Sequence, residues 1–132
     1  MSTERPADRA PLGLILLDGS HARAHAAFSF AAGAAAMDRA VTLFATGAGV
    51  RALCRDWSGL DGAAHDAMLV ERGVAGLDLL REAALLLEVR LLACEAAMRG
   101  EAIALPALLE GVQVAGIATF LADLSGAQML SF

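Results

Sequence analysis

Residues 89–98 read VRLLACEAAM: an apolar run reaches Cys94, and residues that favour a helix follow it directly. Two earlier apolar runs, LGLILL at 12–17 and VTLFAT at 41–46, also end abruptly, at the turns DGS and GAG. Continuous apolar strands are typical of parallel sheets that are covered on both faces. Strands alternating with helical stretches therefore predict an α/β sandwich with a mainly parallel sheet.

The segments between and after these strands predict the rest of the chain. Ser20 is a good N-cap for a helix that ends near residue 37. Leucine and alanine recur at helical spacing over 77–88, and 117–124 also has a helical pattern. Shorter helical turns are predicted after Gly49, at 95–98 and from Pro106, and short strands at 112–114 and 128–132. The segment 65–73 fits neither pattern clearly.

Length and composition indicate one domain. We expect a flexible tail over residues 1–11 and a single domain over 12–132. Hydrophobic residues make up 58% of the chain, above the roughly 45–50% of an average soluble domain. This excess predicts that both faces of a sheet are covered and that part of the surface is buried against other subunits.

Charge and cysteine content exclude several classes of protein. The ten basic residues are all arginine, are scattered singly, and leave a net charge of −5, so no basic footprint for nucleic acid is present.

The start, MSTERPADRAP, is polar, unlike a signal peptide. The apolar stretch 24–37 is shorter than the about 20 residues of a membrane span and predicts a buried helix. Two cysteines without a CxxC motif fit a reducing compartment, and we expect a cytoplasmic protein.

Cys94 is the strongest candidate for chemistry. A thiol at a strand end and helix start lies near unpaired N–H groups that favour the reactive thiolate. The neighbouring Glu95 opposes this, and Arg99 is the nearest cation in sequence to offset it. The alternative is an inert cysteine packed as a small hydrophobic residue.

The carboxyl ends of parallel strands meet at one edge of a sheet, where ligands usually bind. Residues predicted to line a pocket there, around Cys94, are Asp18, Gly19, Ser20, Gly47, Glu95 and Met98. The turn lacks the GxGxxG fingerprint and the P-loop lysine, so no nucleotide cofactor is expected.

The remaining titratable residues give weaker signals. His21 and His25 have the spacing of a helical metal pair, but no third ligand accompanies them, and we predict no metal site. His65 is isolated and is assigned no role. Cys54 lies in the apolar segment VRALC and is expected to pack in the core or to be partly exposed; it would be a resolving thiol only if the fold brought it near Cys94.

Three stretches resemble one known family. LLACEAAMRG at 91–100, EGVQVAGIATFL at 110–121 and the alanine-rich stretch at 27–50 are similar to the motifs of DsrE/DsrF-like proteins, in particular the DsrE2 branch. The resemblance implies a three-layer α/β/α sandwich with a five-stranded, mainly parallel sheet. It also implies a cytoplasmic homo-oligomer, often a trimer or a dimer of trimers. The charged Glu95 and Arg99, and a shorter stretch after the second strand, depart from the branch.

The same resemblance implies a function in sulfur relay. Cys94 matches the family cysteine that accepts sulfane sulfur as a persulfide and passes it on. The partners would be sulfur donor and acceptor proteins or small thiols, with no metal or other cofactor. Two alternatives stay open: a binding or assembly module in which Cys94 only lines a pocket, and a thiol redox protein in which Cys94 is oxidised to sulfenic acid. The absence of CxxC weakens the second.

Overall fold

A computed structural model describes residues 10–132, and its centre is a five-stranded sheet. The strands are β1 (Leu12–Leu16), β2 (Val41–Ala45), β3 (Arg90–Cys94), β4 (Gln113–Ala115) and β5 (Gln128–Ser131). Their order across the sheet is β4-β3-β2-β1-β5, and each neighbouring pair is parallel. The predicted α/β class, the parallel sheet and its five strands are confirmed.

Helical segments connect these strands. The α-helices of the described residues are α1 (His21–Ala36), α2 (His65–Glu71), α3 (Leu77–Leu86), α4 (Glu95–Gly100) and α5 (Ile117–Asp123). Two 3₁₀ segments add Gly47–Leu53 and Leu105–Ala107. The three longer predicted helices are confirmed within one or two residues at their ends. The segment 65–73, which the pattern left ambiguous, contains α2.

Successive residues of a strand point to opposite faces of the sheet, and a different helix covers each face. α1 packs across β1 and β2, and its buried side is made mostly of small residues that allow close approach. On the other face, Phe44 of β2 stacks on Phe120 of α5, with ring centroids 4.6 Å apart. Helices on both faces explain why the strands are apolar on both sides.

The apolar stretch 24–37 forms most of α1, whose buried residues include Ala24, Phe28 and Ala31, so the prediction of a buried helix is confirmed. Within residues 10–132, no helix is long and apolar enough to cross a bilayer. Residues 1–9 of the predicted tail lie outside the described residues. The first two described residues accept hydrogen bonds from the domain. The Arg39 side chain donates to the carbonyl of Ala10 at 2.9 Å, and the main-chain amide of Gln128 donates to the carbonyl of Pro11 at 3.0 Å.

Candidate functional site

The carboxyl ends of β1, β2 and β3 lie along one edge of the sheet. Leu16 is opposite Ala45, and Ala45 is opposite Ala93, so the three strands end in register. Asp18–Ser20 follow β1, Gly47 follows β2 and Cys94 ends β3. The structure therefore brings the predicted pocket turns to the same edge as the candidate cysteine.

Cys94 lies deeper than a surface nucleophile. It is the last residue of β3, pairs with Ala115 of β4 and is the N-cap residue of α4. Only 2% of Cys94 is exposed. Leu92 is opposite Phe44, so alternation places Leu92 and Cys94 on the face that α5 covers. The sulfur is therefore accessible only if segments over that face move.

The two charged residues after Cys94 pair with each other. The Arg99 guanidinium donates to the Glu95 carboxylate at 2.6 Å, one helical turn apart on the exposed side of α4. The carboxylate that opposes a thiolate in the sequence is thus paired with a cation. Met98 is 7% exposed and packs in the core, so it supports α4 from inside instead of lining an open surface.

The turns after β1 and β2 are packed against each other. A Cβ on Gly19 would lie 2.8 Å from the Cβ of Ala48, so a larger residue would force the two turns apart. Gly47 has a φ of 52°, a backbone conformation that side chains disfavour. The Ser20 hydroxyl accepts from the Arg23 amide at 3.2 Å and so caps α1, as its sequence position predicted. Asp18 is exposed beside this packed turn.

The loop that precedes α2 packs against the turn after the carboxyl end of β1. The amide of Asp61 donates to the carbonyl of Gly19 at 2.9 Å, and the amide of His21 donates to the carbonyl of Asp61 at 2.8 Å. These two hydrogen bonds attach the loop before α2 directly to the turn that carries three of the predicted pocket residues.

The two histidines of α1 have structural partners. His21 is 1% exposed, and its Nε2 donates to Asp66 Oδ1 at 2.7 Å. His25 Nε2 donates to the carbonyl of Ala75 at 2.8 Å. Burial alone would raise the pKa of Asp66, but hydrogen bonds from His21 and from the Leu77 amide outweigh it and hold that pKa below its ordinary value. The two histidines thus attach α1 to α2 and to the segment that precedes α3.

No group of three or more histidine, cysteine or acidic side chains is placed to hold a metal ion within the part of the chain that the structure describes. The His65 ring lies 6.2 Å from that of His21, centroid to centroid, so it is not isolated in space. Trp57 lies 5.8 Å from His21 in the same cluster. The cluster is an aromatic and histidine contact region beside the sheet edge.

Cys54 lies at the end of the first 3₁₀ segment, half-buried, and both cysteines are free thiols. Burial raises the pKa of the Cys54 thiol, and the nearby Arg81 guanidinium only partly offsets this effect. Arg81 is itself buried and donates to three main-chain carbonyls, those of Ala52, Cys54 and Arg55. This guanidinium fastens α3 to the segment that carries Cys54.

Asp66 and Arg81 are residues that the sequence did not single out. Asp66 is 45 positions from its partner His21, and Arg81 is 27 positions from Cys54. Neither spacing belongs to a local motif. The sequence signals present were two histidines at the start of a helix and an arginine inside an otherwise apolar helical face.

Comparison with known proteins places the chain in one family. Residues 13–132 match the model of the DsrE/DsrF-like family, nearly all of the domain described above. The chain is a DsrE/DsrF-like protein. The resemblance to this family, inferred from the sequence, is thereby confirmed.

Two solved structures share the DsrE-like fold. The YchN protein of E. coli superposes with a TM-score of 0.72 at 14% identity, covering 93% of this chain and 99% of that one. The protein of unknown function MTH1491 of Methanobacterium thermoautotrophicum gives a TM-score of 0.61 at 19% identity, with the same coverage. A search of the curated proteins gave no match. At these identities the structural likeness concerns the fold alone.

Proposed function

We propose that this DsrE/DsrF-like protein is a sulfur carrier in which Cys94 holds sulfane sulfur as a persulfide. The observation that carries the proposal is the place of Cys94. It ends the interior strand β3 at the edge where sheets of this kind usually bind ligands, in a stretch that resembles the cysteine motif of a family associated with sulfur relay. The paired Glu95 and Arg99 support it, because the pairing reduces the repulsion of a negative sulfur by the carboxylate.

The proposed reaction is two successive thiolate exchanges. The Cys94 thiolate attacks the outer sulfur of a donor persulfide; the new S–S bond forms at Cys94, the donor's own S–S bond breaks, and the donor leaves as a thiolate. An acceptor thiolate then attacks the outer sulfur on Cys94, which returns to the thiolate. The sulfane sulfur moves without net oxidation, so the steps require no metal and no redox cofactor.

The proposal includes the reaction's partners, its compartment and the assembly of the protein. Donor and acceptor would be proteins or small thiols, and the compartment would be the cytoplasm, where thiols stay reduced. We also propose a homo-oligomer, a trimer or hexamer. Large apolar side chains remain exposed on single subunits, among them Leu86 at 76%, Met37 at 71% and Leu79 at 58%.

One observation favours a second function. Because Cys94 is 2% exposed, a donor reaches it only after a local opening, whereas a binding or assembly module needs no access to the thiol. In that alternative the sheet edge binds a partner, and Cys94 is a core residue at its base. Retention of partner binding by Cys94→Ser, without sulfur uptake by the wild type, would favour it.

The test is intact-mass analysis after incubation with glutathione persulfide. We expect the wild type and Cys54→Ser to gain the mass of one sulfur atom and Cys94→Ser to gain none. Cys54→Ser is the matched control, because it removes the other thiol of the chain. Uptake by Cys94→Ser but not by Cys54→Ser would show that the wrong cysteine was chosen. Absence of uptake in all three proteins would favour the binding module.

A further inference from the structure

The segment that follows Cys94 is fixed to the domain at its two ends. At its start, Cys94 stays in the sheet through its pairing with Ala115 of β4. At its far end, Leu108 forms an antiparallel bridge with Cys54, directly after the first 3₁₀ segment. Residues 95–106 therefore leave the sheet and return to the first 3₁₀ segment as one excursion of the chain, which we call the 95–106 flap.

Little apolar surface holds the 95–106 flap between these two points. Its buried residues are Ala97 and Met98 of α4, which packs against the first 3₁₀ segment. None of residues 99–106 is buried, and Leu105 is 65% exposed. Segments with few buried apolar side chains open locally at a lower cost than the sheet to which they are attached. The flap is therefore a weakly held neighbour of Cys94.

One ion pair ties the middle of the flap to the domain. Arg51 Nε, on the first 3₁₀ segment, lies 2.7 Å from Glu101 Oε1 at the end of α4, and the two side chains are 39% and 22% exposed. The contact lacks the geometry of a hydrogen bond, so the buried Oε1 accepts none from the described residues. A buried oxygen without a hydrogen bond is costly, so the charge contact closes the flap without making the closed state very stable.

We propose that the 95–106 flap is a gate to Cys94 and that the ion pair between Arg51 and Glu101 is its latch. Cys94 is the N-cap residue of α4 and lies at the base of the flap. Detachment of α4 uncovers the carboxyl end of β3 while the strand itself stays paired. The open gate admits a donor persulfide or an acceptor thiol to a residue that is 2% exposed when the gate is closed. The inference rests on the sulfur chemistry proposed for Cys94, whose access it explains.

The competing gate is α5, because it covers the face to which strand alternation directs the Cys94 side chain. α5 is fixed by Phe120, which is 2% exposed and stacks on Phe44. Its detachment would bring a whole aromatic ring into water, whereas detachment of α4 exposes one methionine and one alanine. The flap therefore opens more readily than α5.

The test measures the rate at which iodoacetamide alkylates Cys94 in Cys54→Ser protein, where it is the only thiol. Arg51→Ala should raise this rate about fivefold, the upper end for the loss of a partly exposed ion pair. Removal of a positive charge would by itself slow the reaction, because it disfavours the thiolate, so a faster reaction reports access. The exchanged pair, Arg51→Glu with Glu101→Arg, should return the rate toward that of the parent protein.

The matched control is Arg90→Ala. It removes the ion pair between Arg90 and Asp123 of α5, which are 3.3 Å apart at the opposite end of β3. This variant loosens α5 and leaves the flap intact, so the alkylation rate should stay unchanged.

Salt provides a readout that a purely structural role of Arg51 would not change. Iodoacetamide is uncharged, so salt affects its reaction through the protein alone. Sodium chloride screens the latch, so the rate in the parent protein should rise from low to high salt. In Arg51→Ala, which has no latch to screen, the rate should change much less.

The inference is overturned if folded Arg51→Ala protein reacts at the parent rate, or if Arg90→Ala accelerates the reaction as much or more. Urea unfolding checks that each variant is folded, and Glu101→Gln replaces Arg51→Ala if that variant is not. Failure of glutathione persulfide to load Cys94, with alkylation rates as expected, would refute the sulfur carrier and leave the gate standing. Loading of Cys94 with rates that ignore the latch would refute the gate alone.

Discussion

Asp66 provides a test of how the loop and α2 are attached to the rest of the domain. α2 buries none of its residues, so apolar packing contributes little to its position. The Asp66 carboxylate instead accepts from His21 Nε2 at 2.7 Å and from the Leu77 amide at 2.9 Å, and its side chain is 14% exposed. Hydrogen bonds to a charged group contribute about 1.5–3 kcal/mol each. Taking the low value for both, Asp66→Ala should lower the free energy of unfolding by about 3 kcal/mol.

The pH dependence of this loss gives a second, independent check. The pKa of Asp66 is held below its ordinary value in the folded protein, so its stabilising effect is complete above the carboxyl's unfolded pKa. The effect disappears as the pH falls through the folded pKa. The difference between wild type and Asp66→Ala should therefore shrink on acidification.

Urea unfolding at neutral pH and at about pH 3, below the ordinary pKa of an aspartate, measures both quantities. The exposed Glu71 of α2 gives the control Glu71→Ala, which should stay within about 0.5 kcal/mol of the wild type. A loss for Asp66→Ala as small as that of the control, or one that does not change with pH, would refute the assigned role.

Three further predictions concern the core, the turns and the second thiol. Phe120→Ala should lower the free energy of unfolding by about 3–5 kcal/mol in urea titrations, since it removes a buried ring stacked on Phe44. Gly49→Ala should destabilise strongly in thermal melts, because its Cβ would overlap a carbonyl of β1, whereas Gly59→Ala, with open space around it, should not. Cys54 should react slowly with iodoacetamide at neutral pH, with a rate that still climbs above pH 9, because burial raises its pKa; a fast, pH-independent rate would contradict this.

The strands were predictable because their signal is local. LGLILL and VTLFAT are runs of apolar residues bounded by turns, and they became β1 and β2 with nearly the predicted bounds. The alternation of strands and helices predicted that the sheet is mainly parallel, but not the order of its strands. The sequence predicted only a short helical turn after β2; in the structure, Gly47–Leu53 is a 3₁₀ segment whose Gly49 lies close to the main chain of β1.

α2 was ambiguous for a physical reason. A helix that buries no residue needs no apolar stripe, so its sequence carries no helical period. The contacts that define the surroundings of the candidate site, from Asp66 and Arg81, join residues far apart in sequence and depend on the finished fold. The burial of Cys94 is of the same kind, because it depends on how other elements, among them the first 3₁₀ segment and α4, pack against β3.

The enclosure of Cys94 bears on the lifetime of the persulfide proposed for it. A persulfide in free solution is quickly stripped by the abundant small thiols of a reducing cell. A sulfur stored at a residue that is 2% exposed would be shielded from such scavengers. Transfer to an acceptor would then require a local opening that exposes Cys94. An acceptor that promotes this opening would receive the sulfur in preference to a small thiol that does not.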